Sequence, residues 1–180
     1  MNRKLLIVAA VLVLAAAGAF AQVSDTHTVT ITITPVQVID LNDATDIAFT
    51  TEAPILPGDP VGPAVGAPAT DDTKWLWYTT CTTATSRITI ETDAACPAGT
   101  ALQAEATTVP VGGTAAAGPI DLSGVTAATE LIGSIPNGNT GRAAGNGSNV
   151  TFSFWVDDPS ALVVGAATVI NVVYTIEDDS

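Results

Sequence analysis

The chain has 180 residues, with five basic against 18 acidic side chains and a formal net charge of −13. Such a balance argues against nucleic acid or an anionic membrane as a partner, because both require basic patches. Thr, Val, Ile, Gly, Pro and Ala dominate, and short alternating segments recur between Gly, Pro, Asn and Asp residues. This pattern predicts an all-β fold of short strands.

Residues 1–21 have the pattern of a signal peptide. Arg3 and Lys4 precede an apolar run over residues 5–17, and residues 19–21 read Ala-Phe-Ala, which fits an A-x-A cleavage site. The run is too short for a membrane span of about 20 residues. We therefore expect a secreted protein, extracellular or at the cell surface, with no membrane span after cleavage. Its single domain would be residues 22–180, with three basic against 18 acidic residues and a net charge of −15.

The first segment of this domain, residues 26–39, is predicted to be a strand. Val29, Ile31 and Ile33 alternate with threonines, which is typical of strands. Pro35 interrupts the pattern, and residues 36–39 resume it. A short strand is expected over residues 46–51, followed by a loop over residues 52–73 that contains five prolines.

The organising stretch is residues 74–106, where three strands are predicted. In the first, Trp75 and Trp77 share one face and Leu76 and Tyr78 the other, because side chains alternate along a strand. Strands over residues 87–92 and 100–107 follow, each with one apolar face.

Cys81 and Cys96 flank the second of these strands. In an exported protein two cysteines favour a structural disulfide. It would close a loop of about 16 residues and stabilise the fold by about 3 kcal/mol in the chain-entropy model. A catalytic cysteine would instead need a histidine partner, and the chain has only His27.

Further strands are predicted over residues 119–122, 130–135, 149–156 and 167–177. The last has two apolar faces, which indicates a central strand or one covered by a neighbouring subunit. The whole pattern predicts a single antiparallel β-sandwich of about eight or nine strands.

No catalytic constellation, cofactor motif or zinc site is visible, and we expect a protein that is not an enzyme. Calcium is the metal that the acidic groups Asp40/Asp43/Asp46, Asp71/Asp72 and Asp157/Asp158 would suit, although none has EF-hand spacing, and turn and cap formation is the more common role of such groups. Trp75, Trp77 and Trp155 suit either a core or a platform for sugars.

The segment Asp25-Thr26-His27-Thr28-Val29-Thr30-Ile31-Thr32-Ile33, together with Val172-Val173-Tyr174-Thr175-Ile176 near the end, resembles the terminal strands of secreted pilin-like β-sandwich subunits. The resemblance implies an immunoglobulin-like or pilin-like sandwich in an extracellular fibre, pilus-like filament or surface coat, with self-association or other surface proteins as partners. Residues 25–34 would then donate a strand to a neighbouring sheet, with Val29, Ile31 and Ile33 as the inserted side chains. The alternatives are that this segment pairs within its own domain, or that the protein is a soluble module that binds carbohydrate or calcium.

Overall fold

The computed structural model describes residues 28–165 and 167–179. The chain divides into two compact units, residues 1–33 and residues 34–180. The described residues of the first unit, 28–33, form neither helix nor strand. The signal sequence and His27 lie outside the described residues, so the expectations for them stay predictions.

The second unit is an all-β fold, because ten strands and one short 3-10 helix, Pro159–Ala161, make up its regular structure in the described residues. The strands are β1 Val36–Leu41, β2 Ala69–Cys81, β3 Ser86–Thr92, β4 Thr100–Ala106, β5 Thr114–Ala115, β6 Ile120–Asp121, β7 Thr129–Ile135, β8 Gly138–Asn139, β9 Ser148–Val156 and β10 Val172–Asp178. The count exceeds the predicted eight or nine because two strands of only two residues each, β5 and β8, were not predicted.

Two antiparallel sheets contain these strands. The larger has the order β1-β2-β9-β4-β6, with β8 also paired to β2, and the smaller has the order β10-β3-β7-β5. The longest strand, β2, pairs with β1, β8 and β9, which places the tryptophan-rich stretch inside the larger sheet, next to its edge strand β1.

One apolar cluster lies between the two sheets and makes the fold sandwich-like. Leu76 of β2 and Phe152 of β9 face it from the larger sheet, and Ile88 of β3 and Ile132 of β7 face it from the smaller one. Ile88 and Ile132 are fully buried. Removing such apolar surface from water contributes about 25 cal/mol per Å², so this shared cluster is the main stabilising feature of the fold.

The alternation predicted for the central strands is confirmed. Leu76 and Tyr78 are buried, whereas Trp75 and Trp77 lie half-buried on the outer face of the larger sheet. In β9, Phe152 is likewise buried and Trp155 faces outward. The predicted strands over residues 119–122 and 130–135 also correspond to β6 and β7.

Two predicted strands are absent from the described residues. Residues 28–35 have a strand-like sequence, but the first strand starts only at Val36, because alternation sets the faces of a strand without supplying a pairing partner. Residues 46–51 also form no strand. Phe49 instead stacks on Phe154, with 5.4 Å between ring centroids, so this segment contributes side chains to the core from irregular backbone.

Two other boundaries differ from the sequence-based expectation. The proline-rich loop ends before residue 69, since β2 starts at Ala69 and contains a bulge between Asp71 and Lys74. The last strand is shorter than predicted, and it is not central: among the described residues β10 is an edge strand, paired only with β3. Its second apolar face is therefore left half-exposed at the sheet edge, with Val173 44% exposed.

The predicted disulfide is absent, because both cysteines are free thiols. Cys81 precedes β3 and Cys96 follows it, and β3 alone spans about 20 Å at about 3.3 Å per residue. A disulfide needs Cα atoms within about 7 Å of each other. The strand between the two cysteines thus places them at opposite ends of the sandwich.

Candidate functional site

The first candidate surface is the alternating segment that precedes β1. Of the proposed donor residues 25–34, the structure describes residues 28–34, and none of these lies in a strand. Val29, Ile31 and Ile33 are 69%, 81% and 76% exposed. When such a segment forms a strand, β-branched side chains at every second position lie in one apolar row. An exposed row of this kind favours pairing with another strand.

In the described part of the chain, each sheet ends in an edge strand, and these two edge strands lie close to each other. β1 borders the larger sheet and β10 the smaller one, and the Gln37 side chain of β1 donates hydrogen bonds to Ser86 Oγ and Asp178 Oδ1, both at 3.0 Å. Neither strand contains proline or lysine, residues that commonly protect an edge. These edges therefore present unpaired backbone groups to an added strand.

The tryptophans do not form one platform. Trp75 and Trp77 lie two residues apart on the outer face of β2, and Trp75 is opposite Asn149 of β9. Trp155 is six residues further along β9, about 20 Å away at about 3.3 Å per residue. It lies beside the proline-rich loop, where the Val156 amide donates to the Pro63 carbonyl at 2.8 Å.

Trp77 lines an open groove of about 310 Å³ on this outer face. The groove is bordered by β1, β2 and the chain around β8. Its lining residues are Val38, Asp40, Trp77, Tyr78, Thr79, Asn139, Thr140, Gly141 and Arg142. We call it the Trp77 groove.

A hydrogen bond and an ion pair fix the geometry of the Trp77 groove. The Trp77 indole Nε1–H donates to the Asn146 carbonyl at 2.9 Å. The Arg142 guanidinium lies 5.2 Å from the Trp77 ring centroid and pairs with Asp40 at 2.7 Å. The side chains of Arg142 and Asp40 remain 74% and 51% exposed, so most of their hydrogen-bonding capacity faces solvent.

Gly147 is required for this arrangement. It has a φ of +102°, and a Cβ atom there would lie 2.5 Å from the Leu76 carbonyl oxygen and 2.9 Å from Trp77 Cδ1. The indole edge occupies the space that a side chain would fill.

One aspartate of each acidic group proposed for calcium acts as a turn former in the structure. Asp43, Asp71 and Asp158 each accept hydrogen bonds from the backbone N–H and hydroxyl two residues later. These bonds lower the pKa of Asp43 and of Asp158. Within residues 28–165 and 167–179, no three His, Cys, Asp or Glu side chains gather in a way that could hold a metal ion.

The Cys96 thiol is poorly suited to nucleophilic chemistry. It packs against the core, and burial, followed by the charge of Asp121, raises its pKa. A thiol with a raised pKa carries little thiolate near neutral pH.

No helix in the described part of the chain is long and apolar enough to cross a membrane.

The sequence reasoning identified Trp77 but missed its neighbours in the groove. Asp40 and Arg142 are 102 residues apart in sequence, and pairing of β1 with β2 and of β2 with β8 brings them together. One sequence signal was present: only three basic residues follow residue 21. Since Lys74 is buried and Arg87 pairs with Glu177 across the smaller sheet, Arg142 is the most exposed of these cations.

Comparison with known proteins adds no relative. No protein-family model, curated protein or solved structure matches the chain.

Proposed function

We propose that this chain is a non-enzymatic secreted structural protein, a subunit of an extracellular fibre, pilus-like filament or surface coat with an immunoglobulin-like or pilin-like sandwich. Assembly takes place by β-strand pairing. The observation that carries the proposal is the exposed apolar row Val29, Ile31 and Ile33 in a segment that forms no strand. The signal-like sequence of residues 1–21 supports export.

The acceptor in this proposal is the open edge of β10 in a second copy. Val172, Tyr174 and Ile176 face inward along β10 and are only half-buried, although they pack against the core. A strand added to this edge would place Val29, Ile31 and Ile33 beside them and complete their burial, because residues on adjacent strands share a face. The donor threonines would then lie on the face of Val173 and Thr175.

Strand addition would account for two features with one interaction: the apolar row before β1 and the partly buried side chains of β10. Main-chain hydrogen bonds supply affinity, and the alternating side chains select the register, since a one-residue slip would turn the apolar row outward. The inward side chains of β10, which are half-buried in the single chain, become covered on assembly.

The test compares the protein covering residues 22–180 with two single-residue variants. Ile31→Asp places a charge in the apolar row, whereas Thr32→Asp adds the same charge on the opposite face of the same segment. Negative-stain electron microscopy and light scattering should show polymers for the unaltered protein and Thr32→Asp, and folded monomers for Ile31→Asp. Circular dichroism checks that all three retain the β-fold.

Two results would count against assembly by this segment. One is an unaltered protein that stays monomeric at high concentration. The other is polymerisation of Ile31→Asp to the same extent as Thr32→Asp, because a donor strand cannot tolerate a buried unpaired charge.

A further inference from the structure

We infer that the Trp77 groove is a binding site for a neutral sugar ring within a polysaccharide chain. The inference does not depend on strand assembly, because the groove lies on the outer face of the larger sheet and the proposed acceptor edge belongs to β10 of the smaller one.

The groove combines one aromatic wall with planar polar groups. A sugar ring has an apolar C–H face and a rim of hydroxyl groups, so it matches an indole together with carboxylate, amide and guanidinium groups. Here Val38, which is 55% exposed, and the part of the Trp77 indole that the Arg142 guanidinium leaves uncovered supply the apolar surface. Asp40, Asn139 and Arg142 supply acceptors and donors at its border.

The polar groups of the groove retain unused capacity. The Asn139 and Thr79 side chains are exposed and make no hydrogen bond to the described residues. Arg142 has five N–H donors, and Asp40 engages its Nη2 atom. A ring hydroxyl can therefore bind the Asn139 or Thr79 side chain without breaking an existing hydrogen bond.

Contacts within the protein fix the position of the Trp77 indole, so the groove does not need a ligand to form. The hydrogen bond from Trp77 Nε1 to the Asn146 carbonyl holds the indole, and the close approach of Gly147 fixes its edge. A rigid aromatic wall lowers the entropic cost of binding. The volume of about 310 Å³ is near the lower end of ligand-sized clefts, roughly 300–1,000 Å³, and suits one ring at a time.

Charge decides in favour of a neutral sugar over an acidic one. Asp40 already neutralises Arg142, and residues 22–180 carry a net charge of −15. An acidic polymer would be repelled by this surface.

The experiment is affinity gel electrophoresis of residues 22–180 through gels that contain starch, xylan, galactomannan or dextran. We expect at least one of these polymers to retard the protein. Trp77→Ala should abolish the retardation, and Arg142→Ala should weaken apparent affinity by about tenfold or more, since a hydrogen bond to a charged group contributes about 1.5–3 kcal/mol. Trp155→Phe, eight residues along β9 from the level of Trp77 and about 26 Å away at about 3.3 Å per residue, should leave it unchanged.

A second measurement keeps the result independent of folding defects. In NMR spectra of the unaltered protein, the Trp77 indole N–H resonance should shift on addition of the retarding polysaccharide, and that of Trp155 should not. Absence of retardation by all four polymers overturns the inference. Retardation that persists in both Trp77→Ala and Arg142→Ala overturns it as well.

Discussion

At the scale of single residues, Asn149 shows how a polar side chain can belong to the core structure. It is 6% exposed, and its amide donates to the carbonyls of Asp72 and Lys74. Its Oδ1 accepts from the Thr107 and Thr151 hydroxyls, at 2.8 and 3.3 Å. The side chain therefore bonds to the bulged part of β2 and to the residue after β4, and every one of its hydrogen-bonding groups has a partner.

Asn149→Asp is expected to destabilise the protein. The new carboxylate would face two carbonyl oxygens and lose two donors, which we expect to cost about 2–4 kcal/mol in the free energy of unfolding. Urea denaturation measures this change. Asn139→Asp is the control, because that side chain is exposed, and we expect a change within about 0.5 kcal/mol. Equal effects of the two substitutions would contradict the assigned role of Asn149.

The same residue also lies in a sequence that matches the N-glycosylation sequon. Asn149-Val150-Thr151 matches the sequon, but the amide of Asn149 is buried and bonded in the folded protein. The Asn149 amide is thus inaccessible in the folded protein, although the sequence around it matches the sequon.

At the scale of elements, the connection into β10 depends on a local polar contact. Asp93 follows β3, and its carboxylate accepts hydrogen bonds from the Asn171 side chain at 2.6 Å and from the Asn171 backbone at 2.8 Å. These bonds lower the pKa of Asp93 below its ordinary value. They fix the start of the edge strand that we propose as the acceptor.

Asn171→Ala should raise the pKa of Asp93 towards its ordinary value, because the side-chain hydrogen bond is the largest cause of the shift. Since the folded-state pKa is lowered, the stabilising effect of this carboxylate is complete above the unfolded pKa of about 3.9 and is lost as pH falls through the folded pKa. Carbon-13 NMR titration of the carboxyl groups measures the pKa. Asp158, which bonds to Ser160 instead, is the internal control and should not change. An unchanged Asp93 pKa in the variant would contradict this account.

At the scale of the whole molecule, net charge and open strand edges have opposite effects on association between two copies. Residues 22–180 carry a net charge of −15, so two copies repel each other. Exposed apolar rows and open edges favour association at short range. Salt screens the first effect, with a Debye length of about 10 Å at 0.1 M and about 30 Å at 0.01 M, and leaves hydrogen bonds and apolar contacts largely intact.

Assembly should therefore become faster as salt rises. We expect the polymerisation rate of residues 22–180, followed by light scattering, to increase between 10 mM and 300 mM sodium chloride. Ile31→Asp should remain monomeric over the same range, because salt does not compensate for a charge placed in the buried row. A rate that falls with salt would show that attraction between charged groups, and not strand pairing, drives association.

The sequence alone determined the strand class and the faces of the central strands. Alternation over β2 and β9 correctly divided inner from outer side chains, because the two-residue period of a strand is a local property. In β3 it correctly placed Ile88 inward, but Thr89 on the opposite face is buried as well. It also identified Trp77 and the row Val29, Ile31 and Ile33.

Tertiary structure decided everything that depends on pairing. It placed β10 at an edge, left residues 28–35 without a strand and separated Cys81 from Cys96 along the length of β3. It also brought Asp40 and Arg142 together beside Trp77. Each of these depends on which strands become neighbours, and periodicity within one strand holds no information on the neighbour that supplies its hydrogen bonds.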